Sequence, residues 1–320
     1  MKIFGTVTSA FLLIICFSGC AEESIVTVPV FSCFDGLQNG NEAGIDCGGD
    51  CDECALNLNI PATGYDSPLS YEGLNLVWSD EFDSLSIDLE KWSFNEGDGC
   101  PALCGWGNNE LQYFTDQPEN IFLTDGYLVI RALRENINGY NYSSSRINTK
   151  DKFEFQYGRI DIRATMPSAV GSWIAMFMLN KNYSIFSPGS WWPSGGEIDI
   201  MEYLGEANEE VLGTAHFGVD FPANHRFVSS TYSTPESEKF DESFHVFSII
   251  WKVDEIKWLV NGIEYHTITP STTSALNQPY PFNDEYFMIM SYSVGGNLPV
   301  SPIMTDFPDR VVVDYVRVFQ

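Results

Sequence analysis

Residues 196–203 read GEIDIMEY, which places three carboxylates within six consecutive positions. Successive side chains of a β-strand point to opposite faces, so Glu197 and Asp199 share one face and the two isoleucines share the other. Glu202 lies five positions after Glu197, and a regular strand would point it to the apolar face. A β-bulge at Met201 would add one residue and return Glu202 to the acidic face. We therefore predict a bulged strand that carries three acids on one surface.

Three neighbouring carboxylates are costly, because like charges raise one another's pKa. Glycoside hydrolysis uses such a group, since one carboxylate attacks the sugar carbon while a protonated acid releases the leaving oxygen. A central acid can share a proton with the nucleophile and tune both of its neighbours. A solvated acidic strand or a cation site is the alternative interpretation. The intervening isoleucines argue against a loose acidic run, and the pattern favours a catalytic group.

The run EIDIME (197–202) resembles the signature of glycoside hydrolase family 16, and the surrounding sequence resembles the bacterial laminarinases (endo-β-1,3-glucanases) of that family. The resemblance covers about residues 74–320. Its motifs stand in the family's order: LVWSDEF (76–82), GWGNNELQY (105–113), YGRI (157–160), GTAH (213–216) and VDYVRV (313–318). It implies an all-β protein, a β-sandwich jelly roll of the concanavalin A-like lectin/glucanase type, with a concave substrate cleft.

The resemblance also implies a division of roles among the acids. Glu197 matches the nucleophile, Asp199 the helper acid, and Glu202 the general acid that later serves as the base for water. The implied chemistry is a retaining double displacement through a covalent glycosyl-enzyme. The implied substrate is a laminarin-like β-1,3-glucan. A mixed β-1,3-1,4-glucan, an algal galactan, or a glucan that is bound without being cut are the alternatives.

Further positions match the family's substrate-binding residues. Trp173 and Trp192 match indoles on which sugar rings stack, and Asn109 and Arg159 match residues that bond sugar hydroxyls. His216 matches a cleft histidine behind the acids. Taken one at a time, each of these residues could equally serve the core or the scaffold.

The family usually carries a structural calcium ion, and the matching ligands here are Glu81, the carbonyl of Gly126, and Asp314. Oxygen ligands of this kind suit Ca²⁺. Ordinary turn and strand-end acids are the alternative interpretation. The resemblance implies no catalytic cofactor.

Composition supports the same class of protein. The 320 residues are 44% hydrophobic, which is enough for a real core, and the formal net charge is −28. This charge opposes nucleic-acid binding, which needs a basic surface, and suits an uncharged polysaccharide. From residue 74 onward, short runs rich in Val, Ile, Phe and Tyr alternate with turns, as in a β-sandwich. We expect a monomer.

The N-terminus reads as an export signal over residues 1–19, with an apolar stretch too short to span a bilayer. It ends at FSGC (17–20), which resembles a bacterial lipobox and implies lipidation of Cys20. A plain secretory signal with an incidental cysteine is the alternative. Glu22 and Glu23 look like an acidic tag for surface display. We therefore predict an exported outer-membrane lipoprotein, exposed at the cell surface and bound to the membrane through its lipid only.

The predicted organisation continues with a tether over 20–32, a cysteine-rich module over 33–54, a linker over 55–70 and the catalytic domain over 71–320. The module is rich in Gly, Asn and Asp and has four cysteines. In an exported chain disulfides are favoured over zinc, and calcium ligation by its acids is a further alternative. Cys100 and Cys104 are expected to close a small loop beside residues 105–109.

Overall fold

The computed structural model describes Leu58 and residues 60–184, 186, 191–235 and 238–320. The chain divides into two units, 1–57 and 58–320, and the second contains all the described residues. The predicted signal peptide, the tether, Cys20 and the cysteine-rich module lie outside the described residues. No helix in the described part of the chain is long and apolar enough to cross a membrane.

Seventeen β-strands are the main regular elements of the described residues. They are β1 (Leu76–Asp80), β2 (Ser93–Phe94), β3 (Gln112–Phe114), β4 (Ile121–Thr124), β5 (Tyr127–Ile137), β6 (Tyr140–Ser144), β7 (Arg146–Asn148), β8 (Gly158–Thr165), β9 (Ser172–Asn180), β10 (Glu197–Leu204), β11 (Glu210–Phe217), β12 (Arg226–Ser233), β13 (His245–Lys252), β14 (Glu255–Val260), β15 (Ile263–Ile268), β16 (Tyr286–Val294) and β17 (Asp309–Phe319). One short α-helix, α1 (Pro270–Ser274), and three 3₁₀ turns (Cys104–Gly107, Gly205–Ala207 and Met304–Asp306) complete these elements.

The strands form two sheets. The seven-stranded sheet has the order β12-β11-β10-β9-β16-β7-β2. The ten-stranded sheet has the order β15-β14-β13-β8-β17-β5-β6-β3, with β1 beside β17 and β4 beside β5. A single large hydrophobic core contains residues of both sheets, such as Ile160 and Ile162 of β8 with Ile198 and Ile200 of β10. The predicted all-β jelly-roll sandwich is confirmed.

Local sequence explains several of the connections. The turn between β14 and β15 has Asn261 at φ 51° and Gly262 at φ 79°, the positive values that a two-residue hairpin turn requires. Cys100 and Cys104 form a disulfide, as expected from their spacing.

The strand that carries the acids contains the predicted bulge. In its pairing with β9, Asp199 lies opposite Phe177 while Met201 lies opposite Met176, so β10 has one extra residue between them. Ile200 and Met201 are consecutive, yet both are buried in the core between the sheets. The extra residue therefore returns Glu202 to the face that Glu197 and Asp199 occupy.

The predicted linker over 55–70 requires correction, because its described part packs onto the ten-stranded sheet. Leu58 and Ile60 pack against a small core cluster that contains Phe244. The N–H of Tyr65 donates to the carbonyl of Phe244 at 2.8 Å, and the N–H of Ser67 donates to the Tyr315 hydroxyl at 2.9 Å. Proline and glycine in this segment reflect an irregular backbone, and Leu58 and Ile60, which precede Pro61, bind it to the sheet.

Candidate active site

Each outer acid of the trio accepts a hydrogen bond from an indole. Trp192 Nε1 donates to Glu197 Oε2 at 2.5 Å, and Trp173 Nε1 donates to Glu202 Oε1 at 3.2 Å. The hydroxyl of Thr214 on β11 donates to the other oxygen of Glu202 at 3.3 Å. The structure thus brings together Glu197, Glu202 and both predicted tryptophans.

Burial raises the pKa of two of the three acids, Asp199 and Glu202. Asp199 is 3% exposed, and burial, followed by the charges of Glu197 and Glu202, raises its pKa well above the usual range. A hydrogen bond between Asp199 and Glu197 contributes to the same rise. Burial also raises the pKa of Glu202, although His216 and the hydrogen bonds from Trp173 and Thr214 oppose the rise. Burial therefore favours the protonated forms of Asp199 and Glu202, and a protonated Glu202 can deliver its proton.

His216 lies behind the acids, as the resemblance implied. It is paired across the strands with Glu197, and its Nε2 lies 3.3 Å from Asp199 Oδ2. That carboxylate oxygen is buried and has no hydrogen bond in this arrangement. On its other side, His216 Nδ1 lies 2.9 Å from Nε2 of His225, a residue that the sequence analysis did not single out.

Among the described residues, the acids and the histidine of this site also come close enough to share a cation: Glu197, Asp199 and His216. A protonated Asp199 is a poor ligand for a cation, because a metal binds the deprotonated carboxylate. Burial, which favours the protonated form of Asp199, therefore disfavours a cation at this group.

Asn109 reaches the same end of the site as Trp173. It is exposed, with its backbone at φ 56°, and its amide donates to Asn297 Oδ1 at 2.8 Å. At the neighbouring Gly296, a Cβ atom would lie only 3.2 Å from the indole of Trp173. The two loops that carry Asn109 and Asn297 therefore border the indole that holds Glu202.

The structure adds Arg146, which the sequence analysis missed, to this face of the seven-stranded sheet. The guanidinium lies 4.5 Å from the ring centre of Trp106 and 5.3 Å from that of Phe177, the β9 residue paired with Asp199. A cavity of about 240 Å³ opens beside it. Its lining includes Trp106, Arg146, Tyr183, Phe287 and Ile289. In the sequence, only one feature pointed to Arg146: it is the single charged residue in the run SSSRINT (143–149).

Arg159 does not reach the site, and the prediction that it bonds substrate is wrong. It lies on β8 of the ten-stranded sheet, where its Nε donates to Asp161 Oδ1 at 2.7 Å and its guanidinium stacks on the ring of Tyr71. Because side chains alternate along a strand and Ile160 is in the core, Arg159 faces away from the seven-stranded sheet.

The two carboxylates assigned to calcium have other partners. Arg317 donates to both oxygens of Glu81, at 3.0 and 2.7 Å, and Arg163 donates to Asp314 at 2.5 Å. Gly126 stands at φ 79° in the turn between β4 and β5. Two carboxylates and a carbonyl offer the oxygen chemistry that calcium takes, but the arginines compete for both carboxylates. Calcium at these residues stays a prediction.

The chain belongs to glycoside hydrolase family 16: residues 103–316 match the family described as "Glycosyl hydrolases family 16". It is 39% identical to glucan endo-1,3-beta-glucosidase A1 of Niallia circulans over 264 residues, which is 78% of this chain and 38% of that longer protein. It is 37% identical to a beta-glucanase of Rhodothermus marinus, over 77% of this chain and 85% of the relative.

Solved structures agree with these sequence relatives. The laminarinase catalytic domain from Thermotoga maritima MSB8 aligns with a TM-score of 0.71 at 41% sequence identity, covering 77% of this chain and 98% of that one. The endo-beta-1,3-glucanase from Pyrococcus furiosus aligns with a TM-score of 0.70 at 36% identity, covering 77% of this chain and 94% of that one.

Proposed function

We propose that this protein is a retaining endo-glycosidase that hydrolyses β-1,3-glucan through a covalent glycosyl-enzyme. The observation that carries the proposal is the bulge in β10, which gathers Glu197, Asp199 and Glu202 on one face. The relatives named as endo-1,3-glucanases and laminarinases support the substrate class.

The geometry suggests how the two steps proceed. In the first, Glu197 attacks the anomeric carbon while Glu202 gives its proton to the departing glycosidic oxygen. In the second, Glu202 takes a proton from water, and the resulting hydroxide displaces Glu197 from the sugar. Asp199 holds its shared proton beside Glu197 throughout, and this bond steadies the carboxylate before attack and after release.

The function is tested by incubating the protein with laminarin, barley mixed-linkage glucan and agarose and measuring new reducing ends. We expect hydrolysis of laminarin to be fastest. Fastest cleavage of barley glucan or agarose would identify another substrate of the family, and depletion of polymer without products would mean binding alone.

The catalytic roles are tested by Glu197→Gln and Glu202→Gln. Each is expected to lose at least about 10²-fold in turnover, because each removes a group that forms or breaks a bond. Near-normal hydrolysis by either variant would reject the assignment.

We also propose that the protein is a monomer tethered to the outer membrane by lipid on Cys20. The proposal rests on the signal-like N-terminus and the lipobox-like FSGC (17–20). Mass spectrometry of the membrane fraction should find a diacylglyceryl group on Cys20, whereas an unmodified N-terminus in the culture medium would refute it. Sedimentation of the protein tests the oligomeric state, and a mass equal to that of one chain is expected for a monomer.

A further inference from the structure

His225 stands at the end of a row of polar groups that leads to the nucleophile. Its Nε2 is 2.9 Å from His216 Nδ1, His216 Nε2 is 3.3 Å from Asp199 Oδ2, and Asp199 shares a hydrogen bond with Glu197. His225 precedes β12 and is only partly buried, so it contributes little to the core. The contact with His216 is therefore its main polar interaction with the site.

The direction of the hydrogen bonds in this row follows from the carboxyl group of Asp199. Glu197 is the carboxylate with which Asp199 shares a hydrogen bond, and this bond favours the protonated form of Asp199. Asp199 Oδ2 is buried without a hydrogen-bond donor, and a buried carboxyl oxygen of this kind needs a partner. His216 Nε2, which faces it, can supply the proton.

A neutral imidazole carries one proton, so a protonated Nε2 on His216 leaves Nδ1 as an acceptor. The hydrogen bond to Nδ1 must then come from Nε2–H of His225. Burial lowers the pKa of His225 and favours its neutral form, and only the neutral tautomer that is protonated at Nε2 can donate in this direction.

We propose that His225 is a positioning residue of the reaction, whose Nε2–H holds His216 in the tautomer that donates to Asp199 and so keeps the proton of Asp199 directed at Glu197. This inference rests on the proposed function. It assigns to His225 a task that no motif of the sequence indicated.

The surroundings of His225 are consistent with a fixed ring. Trp192 lies 4.8 Å from it, Phe221 5.8 Å and Phe227 6.2 Å, measured between ring centres. The titratable and charged groups that face it are His216, Glu197 and Arg226. The rings hold the imidazole in place, and neither charged group accepts the Nε2 proton in place of His216.

The loss of the donor has a definite consequence. If His216 takes the other tautomer, its Nε2 lone pair faces Asp199 and competes with Glu197 for the shared proton. Glu197 then loses a hydrogen bond that favours its charged form. The acid limb of kcat/KM should therefore move to higher pH, because the nucleophile must be ionised to attack.

Two variants distinguish the effect of the Nε2–H donor of His225 from the effect of its aromatic ring. His225→Phe keeps an aromatic ring beside Trp192 but has no donor, whereas His225→Gln has no ring but places an amide N–H near the position of Nε2. We expect His225→Phe to lose about tenfold in kcat/KM on laminarin and to shift the acid limb upward, as loss of a tautomer-fixing partner does elsewhere. We expect His225→Gln to recover most of the rate and the original acid limb.

Nitrogen-15 NMR of the histidine rings reads the tautomer without any substrate. The chain has four histidines, and the two outside this site, His245 and His266, serve as internal controls for folding. In the wild type, we expect His216 to be protonated at Nε2, and in His225→Phe at Nδ1.

A wild-type His216 protonated at Nδ1 would overturn the proposal. So would a wild-type pH profile for His225→Phe, or an equal loss in His225→Gln and His225→Phe. A wild type that cuts no glucan would refute the proposed function instead, while the NMR result would still decide the tautomer.

Discussion

Trp173→Phe offers the sharpest test of the proton donor, because it removes one hydrogen bond from a buried carboxyl. In the wild type the indole N–H donates to Glu202 Oε1 at 3.2 Å and lowers the pKa of Glu202 against the larger raising effect of burial. Without this bond the pKa of Glu202 should rise further. Glu202 would then keep its proton to a higher pH, and the alkaline limb of kcat/KM should move upward.

The magnitude follows from the strength of the bond. A hydrogen bond to a charged group contributes about 1.5–3 kcal/mol, and a tenfold change in an ionisation equilibrium corresponds to about 1.4 kcal/mol. Because 3.2 Å is at the long end for an N–H···O bond, we use the lower figure and expect the alkaline limb to move up by about one pH unit.

The assay is kcat/KM on laminarin across the pH range, fitted for its acid and alkaline limbs. Thr214→Val is the matched control, since it removes the other donor to Glu202, at 3.3 Å, and leaves the indole surface intact. It should shift the same limb in the same direction by a smaller amount. An alkaline limb that stays in place or moves downward in Trp173→Phe would refute Glu202 as the proton donor.

The remaining predictions concern the bulge, the two arginines and the calcium ion. Deletion of Met201 should abolish turnover and lower the melting temperature, because it would turn Glu202 into the core; a soluble, active deletion variant would show that the bulge is dispensable. Arg146→Ala should raise KM for laminarin several-fold. Arg159→Ala should leave KM unchanged but lower the urea midpoint, because removing one partner of a buried ion pair leaves Asp161 unpaired and costs about 3 kcal/mol of stability. The reverse pattern would place Arg159 in the cleft. EDTA should lower the melting temperature if calcium bridges Glu81 and Asp314, and an unchanged melting curve would remove the ion.

The bulged strand was predictable because alternation along a strand is a local rule. The apolar positions of GEIDIMEY (196–203) had to face a core, and only one added residue could bring Glu202 beside Glu197. Arg159 shows the limit of the same rule: alternation placed it opposite Ile160, but which of two sheets the strand joins depends on long-range pairing. The segment from Leu58 to residue 70 was misjudged for a similar reason, since turn residues indicate an irregular backbone and say nothing about what it packs against.

By itself, the sequence determined the three acids and the irregularity that aligns them, because both follow from the period of side chains along a few neighbouring residues. It also determined the all-β class, through short strand-like runs separated by turns. The tertiary structure alone decided that Arg146 borders the acids, that Arg159 does not, and that His225 touches His216 across nine residues of chain. These relations depend on how strands from distant parts of the chain pair and on how a loop returns to the sheet, and no local pattern of residues specifies either.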